Sequence, residues 1–245
     1  MSLDVLNNAQ PDVFGREVAQ VLALAASRAY YRKSLAKRSA TANDAQVVRV
    51  KCDSHSADIV TRGDTANVAF RGTDDIRDWL ANLNVDRVNW FGGNVHRGFH
   101  LAEESLAGRL LESLPEHATK LWITGHSLGG ALATLFAFRL QRAGQNVAGL
   151  YTFGSPRVGC RCFAAQHDWL LREKHFRVVH NSDAVPRVPL PLRFRHCGRL
   201  ILINRHAAVI EEPGTLYQSY DRLLGYRADL VRDHLMGEYL GGLAA

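Results

Sequence analysis

Ser127 lies in Gly125-His126-Ser127-Leu128-Gly129-Gly130, between an apolar run, Leu121-Trp122-Ile123-Thr124, and an Ala- and Leu-rich stretch from Ala131 to Phe138. A serine at the apex of a strand-turn-helix junction is presented above a sheet as a nucleophile. Glycines two residues to either side relieve the crowding that so sharp a turn creates. The G-x-S-x-G pattern alone arises by chance in roughly one chain in ten of this length, so its context carries the argument. A neutral hydroxyl is a poor nucleophile. It needs a base to accept its proton and a third group to orient that base, most often histidine and a carboxylate.

On open α/β sheets these partners follow the serine in the order acid, then histidine. Downstream acids include Asp168, Asp183, Asp221, Asp229 and Asp233. Only Asp183 closely follows an obvious buried strand, in Phe176-Arg177-Val178-Val179-His180-Asn181-Ser182-Asp183; an aspartate opening a turn ahead of Pro186 is the plainer reading of the same residue. Three histidines remain as bases: His196, His206 and His234. Position favours His234, ahead of an amphipathic segment near the C-terminus, without excluding His206, and Asp233 beside it also fits a helix cap.

The elements that would hold these residues alternate. Helical spacing covers Val13 to Tyr31; strands are expected at 47–52, 59–62 and 66–70, the last two as a hairpin through Gly63-Asp64. A helix runs from Gly98 to about Ser113, followed by a strand at 120–124, a helix at 128–143, a strand at 147–153, a helix at 160–172 and a strand at 176–180. A hairpin over 193–210, turning near Asn204-Arg205, and a short amphipathic helix over 230–240 complete the pattern. Strands alternating with helices of ten or more residues predict one α/β domain over 1–245, its mainly parallel central sheet covered by helices on both faces. Active sites of such sheets lie beyond the carboxyl ends of the strands. Ile76, Trp79, Leu80 and Leu83 fall at i, i+3, i+4 and i+7, making 74–84 a candidate lid helix with an apolar, acyl-binding face. The same spacing serves an ordinary packing helix equally well.

The 245 residues carry a formal charge of +6, from arginines scattered singly among acids. No basic cluster interleaved with aromatics marks a nucleic-acid module, and no run of about 20 apolar residues marks a transmembrane span. His96 and His100 share i, i+4 spacing, but Gly98 lies between them and no glutamate adjoins them as in a zinc-protease helix, so no metal and no cofactor is expected. Cys52, Cys160, Cys162 and Cys197 form no Cys-x-x-Cys pair. With no signal sequence at Met1-Ser2-Leu3-Asp4, they predict reduced thiols in a cytoplasmic protein, export by a dedicated machine being the other route.

Several segments in order resemble the class 3 lipases, a branch of the α/β hydrolases acting on lipid esters. They are Val68-Ala69-Phe70-Arg71-Gly72-Thr73, Ile76-Arg77-Asp78-Trp79-Leu80, Val95-His96-Arg97-Gly98-Phe99, the Gly125–Gly130 turn, the nine residues from Tyr151 to Gly159, Asn181–Pro186 and Asp233-His234-Leu235. The resemblance implies Ser127 as nucleophile, Asp183 as acid and His234 as base, with Thr73 and the backbone N–H of Leu128 at the oxyanion hole. It implies a lipid or ester substrate and transient contact with a lipid interface. The chain departs from the fungal members at Asn82, where an aspartate often follows the Trp-containing helix. A carboxylesterase of small soluble esters, an acyltransferase using the same acyl enzyme, and an inactive lipid-binding protein are the competing readings.

Overall fold

The computed structural model describes residues 3–31, 45–81, 83–214 and 232–245. In chain order the elements are α1 (Asp4–Asn7), α2 (Arg16–Arg28), β1 (Gln46–Cys52), β2 (His55–Arg62), β3 (Thr65–Phe70), α3 (Ile76–Ala81), β4 (Arg87–Trp90), β5 (Gly93–His96), α4 (Arg97–Ser113), β6 (Lys120–His126), α5 (Leu128–Arg142), β7 (Val147–Phe153), α6 (Arg161–Leu171), β8 (His175–His180), β9 (Arg199–Ile203), β10 (Val209–Glu211) and α7 (Met236–Ala244). Eight strands form one sheet in the order β1-β2-β3-β6-β7-β8-β9-β10. From β3 to β9 every neighbouring pair is parallel, whereas β1-β2-β3 and β9-β10 pair antiparallel.

The period-2 alternation of strand side chains divides the core. Leu121 and Ile123 of β6 join Phe70, Leu150 and the buried residues of α4, α5 and α6 on one face. Trp122, Tyr151, Phe176 and Val178 face α2 and α7 on the other. Every residue of β7 is buried, as a central strand covered on both faces requires. Helix α5 is buried along 11 of its 15 residues because it packs against both the sheet and α4.

The parallel sheet with helices on both faces is the predicted fold class. Three expectations change. Residues 193–198 stay outside the sheet, and β9 begins only at Arg199, pairing parallel with β8 before turning into β10. The turn does fall at Asn204, whose side-chain oxygen accepts from the N–H groups of His206 and Ala208. The C-terminal helix starts at Met236, after a 3-10 turn at Arg232–His234; the expected start at 230 lies outside the described residues. The β4-β5 hairpin was not anticipated. It turns at Phe91 and Gly92, both at positive φ, a Gly-containing turn between Val88 and Val95 that the sequence signals. His96 caps α4, its Nδ1 accepting from the Phe99 N–H while Nε2 donates to the Asn84 carbonyl. Both imidazole nitrogens are used in that cap.

Candidate active site

Between the last residue of β6 and the first of α5 stands Ser127 alone, at φ 58°, ψ −129°. A β-carbon makes this conformation costly, on the order of 1–3 kcal/mol, and it survives only where the surroundings enforce it. Here the enforcement is close packing. A Cβ on Gly125 would sit 2.2 Å from the Gly129 carbonyl oxygen, and one on Gly129 would sit 2.4 Å from that of Phe70. Only hydrogen fits at either place, so strand, turn and helix close on one another and hold the serine at the apex. Its N–H donates to Phe153 on the neighbouring strand, 2.9 Å. Its Oγ is buried and has no hydrogen-bond partner.

Asp183 follows β8 in a tight turn, its N–H donating to His180. Its carboxylate accepts three hydrogen bonds: Oδ1 from the Val185 N–H (2.8 Å), and Oδ2 from His234 Nδ1 (2.8 Å) and the Tyr239 hydroxyl (2.6 Å). Three donors thus answer lone pairs on both carboxyl oxygens. Burial, and then the Asp183 charge, push the Tyr239 phenol well above its ordinary range, so it remains a donor. With Nδ1–H committed to Asp183, a neutral His234 presents Nε2 as a bare lone pair, and that atom too is buried without a partner. The plain reading of Asp233 as a helix cap gives way to another role. Its Oδ2 accepts from Asn181 Nδ2 (2.9 Å) and the Ser182 N–H (3.1 Å), clipping the His234 turn onto the Asp183 turn.

His126 joins these turns to the elbow. Its Nε2 donates to the His234 carbonyl (2.7 Å) and its Nδ1 accepts from the Tyr30 hydroxyl (2.7 Å), with ring centroids of His126 and His234 4.4 Å apart. Burial first, then the neighbouring His234, push its pKa well below the usual histidine value, so it is neutral and the tautomer follows from its two partners. Three segments far apart in sequence thus bring Ser127, Asp183 and His234 into one buried cluster. Gly154, at φ +58°, forms its wall: a Cβ there would lie 2.7 Å from Asp183 Oδ2 and 2.9 Å from His234 Nδ1. Of the other candidate bases, His196 donates to the Pro186 carbonyl and the exposed His206 pairs with Arg205. Asp168 accepts from the Gly198 N–H, while Asp221 and Asp229 lie outside the described residues. Tyr30, His126, Gly154 and Tyr239 were given no role from sequence, although His126 and Gly154 lie in motif-bearing segments, and Asp233 was read as one acid among several or as a helix cap.

Thr73 and Leu128 are both half-buried. The seating of Gly129 on the Phe70 carbonyl and Arg71 brings the loop carrying Thr73 against the start of α5. Helix α3 is shorter than expected, six residues with its first turn capped by Asp75 Oδ1, which accepts from Arg77 and Asp78. Ile76, Trp79, Leu80 and Leu83 are half-buried; Trp79 stacks on Phe99 with centroids 6.1 Å apart, and Trp79 and Leu83 rest against the core. Asn82 lies outside the described residues. Two groups of potential metal ligands occur among the described residues, His100/Glu103/Glu104 and His167/Asp168/Cys197, and neither includes a member of the Ser127 cluster.

A mainly parallel eight-stranded sheet with a serine elbow after its central β6 defines an α/β hydrolase. A model of the class 3 lipases matches residues 67–192, about half of the chain, and the chain belongs to that family. The secreted mono- and diacylglycerol lipase 1 of Fusarium solani is 36% identical over 140 residues, covering 53% of this chain and 41% of that protein. The lipase of Rhizomucor miehei is 34% identical over 158 residues, covering 57% and 43%. The chain therefore spans less than half the length of these curated relatives. The crystal structure of the Lip2 lipase from Yarrowia lipolytica shares the fold, with a TM-score of 0.77 at 21% identity over 90% of this chain and 92% of that one. The cytoplasmic expectation is corrected by these relatives, since the Fusarium protein is a secreted one. Free thiols are no guide to compartment here: all four cysteines are unpaired. No helix among the described residues is long and apolar enough to cross a membrane.

Proposed function

We propose that the protein is a serine hydrolase cleaving carboxylic esters of lipids, in the manner of a triacylglycerol lipase. One observation carries the reading. The His234 imidazole, held by Asp183, keeps a bare buried Nε2, and the buried Ser127 Oγ, one residue from the His126 ring that lies against His234, has no partner of its own. In the proposed cycle Ser127 Oγ attacks the ester carbonyl as Nε2 takes its proton, and Asp183 stabilises the imidazolium without being protonated itself. The negative charge that develops on the carbonyl oxygen is bound by the backbone N–H of Leu128 and by Thr73; loss of one such donor typically costs about 3–4 kcal/mol of transition-state stabilisation. The imidazolium then protonates the leaving alcohol, and water, deprotonated by the same nitrogen, releases the acid.

The name of the Fusarium protein, a mono- and diacylglycerol lipase, supports acylglycerols as the substrate class. The half-buried stripe of α3 supports a closed lid, whose apolar face would turn outward onto a lipid interface. The test is a hydrolysis panel from acetate esters to long-chain glycerides, with phosphonate labelling and the Ser127→Ala variant alongside. Ser127→Ala is expected to lose several powers of ten in turnover and all labelling while keeping the wild-type Tm. Ester hydrolysis unchanged by that substitution defeats the proposal; activity confined to short soluble esters makes the protein a carboxylesterase.

A further inference from the structure

At the other end of β8 from Asp183 lies a second buried cluster. β8 starts at His175 and runs about 17 Å to His180, so its amino end is far from the turn that carries the acid. There the last turns of α6 supply His167 and Asp168, and the segment entering β9 supplies Cys197. One nitrogen of His167, one carboxylate oxygen of Asp168 and the Cys197 sulfur all lie within 4.8 Å of one another. His167 and Cys197 are buried, and the half-buried Asp168 leaves a route from solvent.

His175 lies beside the group. Its ring is 5.0 Å from that of His167, and a Cβ on Gly198, the residue after Cys197, would lie 2.6 Å from its Nδ1. The Cγ–Nδ1 edge of the ring therefore packs on the backbone beside Cys197. Nδ1 is buried, lacks any hydrogen-bond partner, and belongs to a side chain 2% exposed. The other nitrogen, Nε2, meets the Thr152 hydroxyl at 3.2 Å and holds the ring in place.

We propose that His167, Asp168 and Cys197 form a zinc site that ties α6 to the entry to β9. An imidazole, a carboxylate and a thiolate are a borderline-soft donor set suited to Zn²⁺, with water in the fourth position. Tetrahedral coordination at bond lengths of about 2.0–2.3 Å sets ligand atoms roughly 3.3–3.8 Å apart. The His167 Nδ1 to Asp168 Oδ1 separation is already 3.3 Å, and the two edges to the Cys197 sulfur contract by about 1.3 Å or less from the 4.8 Å limit. On binding, the Cys197 S–H bond breaks, its proton passes to solvent and the sulfur pair forms the bond to zinc; the imidazole binds through its lone pair, and nothing is oxidised or reduced. The site lies at the far end of β8 from Asp183, and its role is structural.

Untagged full-length protein, kept reduced, is loaded with Zn²⁺, dialysed and assayed for bound metal by mass spectrometry; a parallel sample is loaded with Co²⁺. The proposal expects one metal per chain, a thiolate-to-cobalt charge-transfer band in the near ultraviolet, and a Tm raised by roughly 5–10 °C over the chelator-treated protein. Cys197→Ser is expected to lose the band and the Tm gain, while Cys162→Ser, at an exposed thiol, keeps both. Wild-type protein with no stoichiometric metal, a cobalt spectrum without the thiolate band, or a band that survives Cys197→Ser overturns the proposal. Should Cys197→Ser fail to fold, the wild-type cobalt spectrum decides alone.

Discussion

Gly154→Ala tests the geometry of the cluster without touching a reacting group. The new methyl would start 2.7 Å from Asp183 Oδ2 and 2.9 Å from His234 Nδ1 and Cε1. Ordinary carbon contacts begin near 3.4 Å, so carboxylate and imidazole must each retreat by about 0.5–0.7 Å, in directions that both lead away from Gly154. They cannot retreat freely. Asp183 is pinned by Val185 and Tyr239, and His234 by the His126 bond to its carbonyl. The imidazole, bonded to Asp183 at 2.8 Å, therefore tilts, and Nε2 is displaced from its present position. A 1 Å misplacement costs about 10²-fold in rate, so a shift of this size predicts a loss of roughly 10- to 100-fold in kcat. The positive φ of residue 154 adds a stability cost of about 1–2 kcal/mol for alanine. The assay is steady-state hydrolysis of a dissolved short-chain ester, run beside urea unfolding and the rate of phosphonate labelling. Since labelling also needs His234 to activate the serine, it should slow with kcat while KM changes little. A Gly154→Ala enzyme with wild-type kcat and stability would show that the pair does not pack against residue 154 as described.

Acid should destabilise the fold early. His126 and His175 are held neutral by burial, their pKa values well below the ordinary 6.5. Above that value neither state binds the protons; as the pH falls through it the unfolded chain takes them up and the native chain does not, so stability is lost as pH falls, at up to about 1.4 kcal/mol per unit for each histidine. Urea unfolding at pH 7.5 and 5.5 should differ by roughly 2–3 kcal/mol, and equal stability at the two values would contradict the burial of these rings. On the proposal that α3 is a closed lid, Trp79→Ala, which removes the stack on Phe99, should weaken that closed position by about 1–3 kcal/mol. Hydrolysis of a dissolved ester should then rise, and the jump on adding substrate droplets should shrink; no jump in the wild type and no change in the variant would leave α3 a fixed packing helix.

Much of the architecture was legible because it is periodic. The apolar runs of β6 and β7 and the Ala-Leu stretch of α5 alternate at lengths that parallel sheets impose, and Gly125 and Gly129 flag the elbow by their spacing from Ser127. The β4-β5 hairpin was also written in Phe91-Gly92, and only its short strands hid it. The overlong hairpin at 193–210 failed for a different reason: apolar residues such as Phe194 are buried against the body without joining the ladder, and composition alone does not distinguish the two fates.

The surroundings of Ser127 were illegible for a physical reason. The bond from His126 to the His234 carbonyl spans 108 residues, and that from Tyr239 to Asp183 spans 56. Nothing local constrains such pairs, since a histidine before a serine or a tyrosine in an amphipathic helix satisfies its own segment in many ways. What selects them is the cost of burying charge. An aspartate as enclosed as Asp183 needs every lone pair answered, which calls for a second donor besides His234 and a phenol unable to lose its proton. A histidine as enclosed as His126 must remain neutral, which requires one acceptor and one donor, met by the His234 carbonyl and Tyr30. The nucleophile's neighbour and the base's own backbone are thereby joined by a hydrogen bond in which neither member carries charge. In the proposed cycle, protonation of His234 would leave that bond intact, so the elbow and the base turn would stay in register throughout.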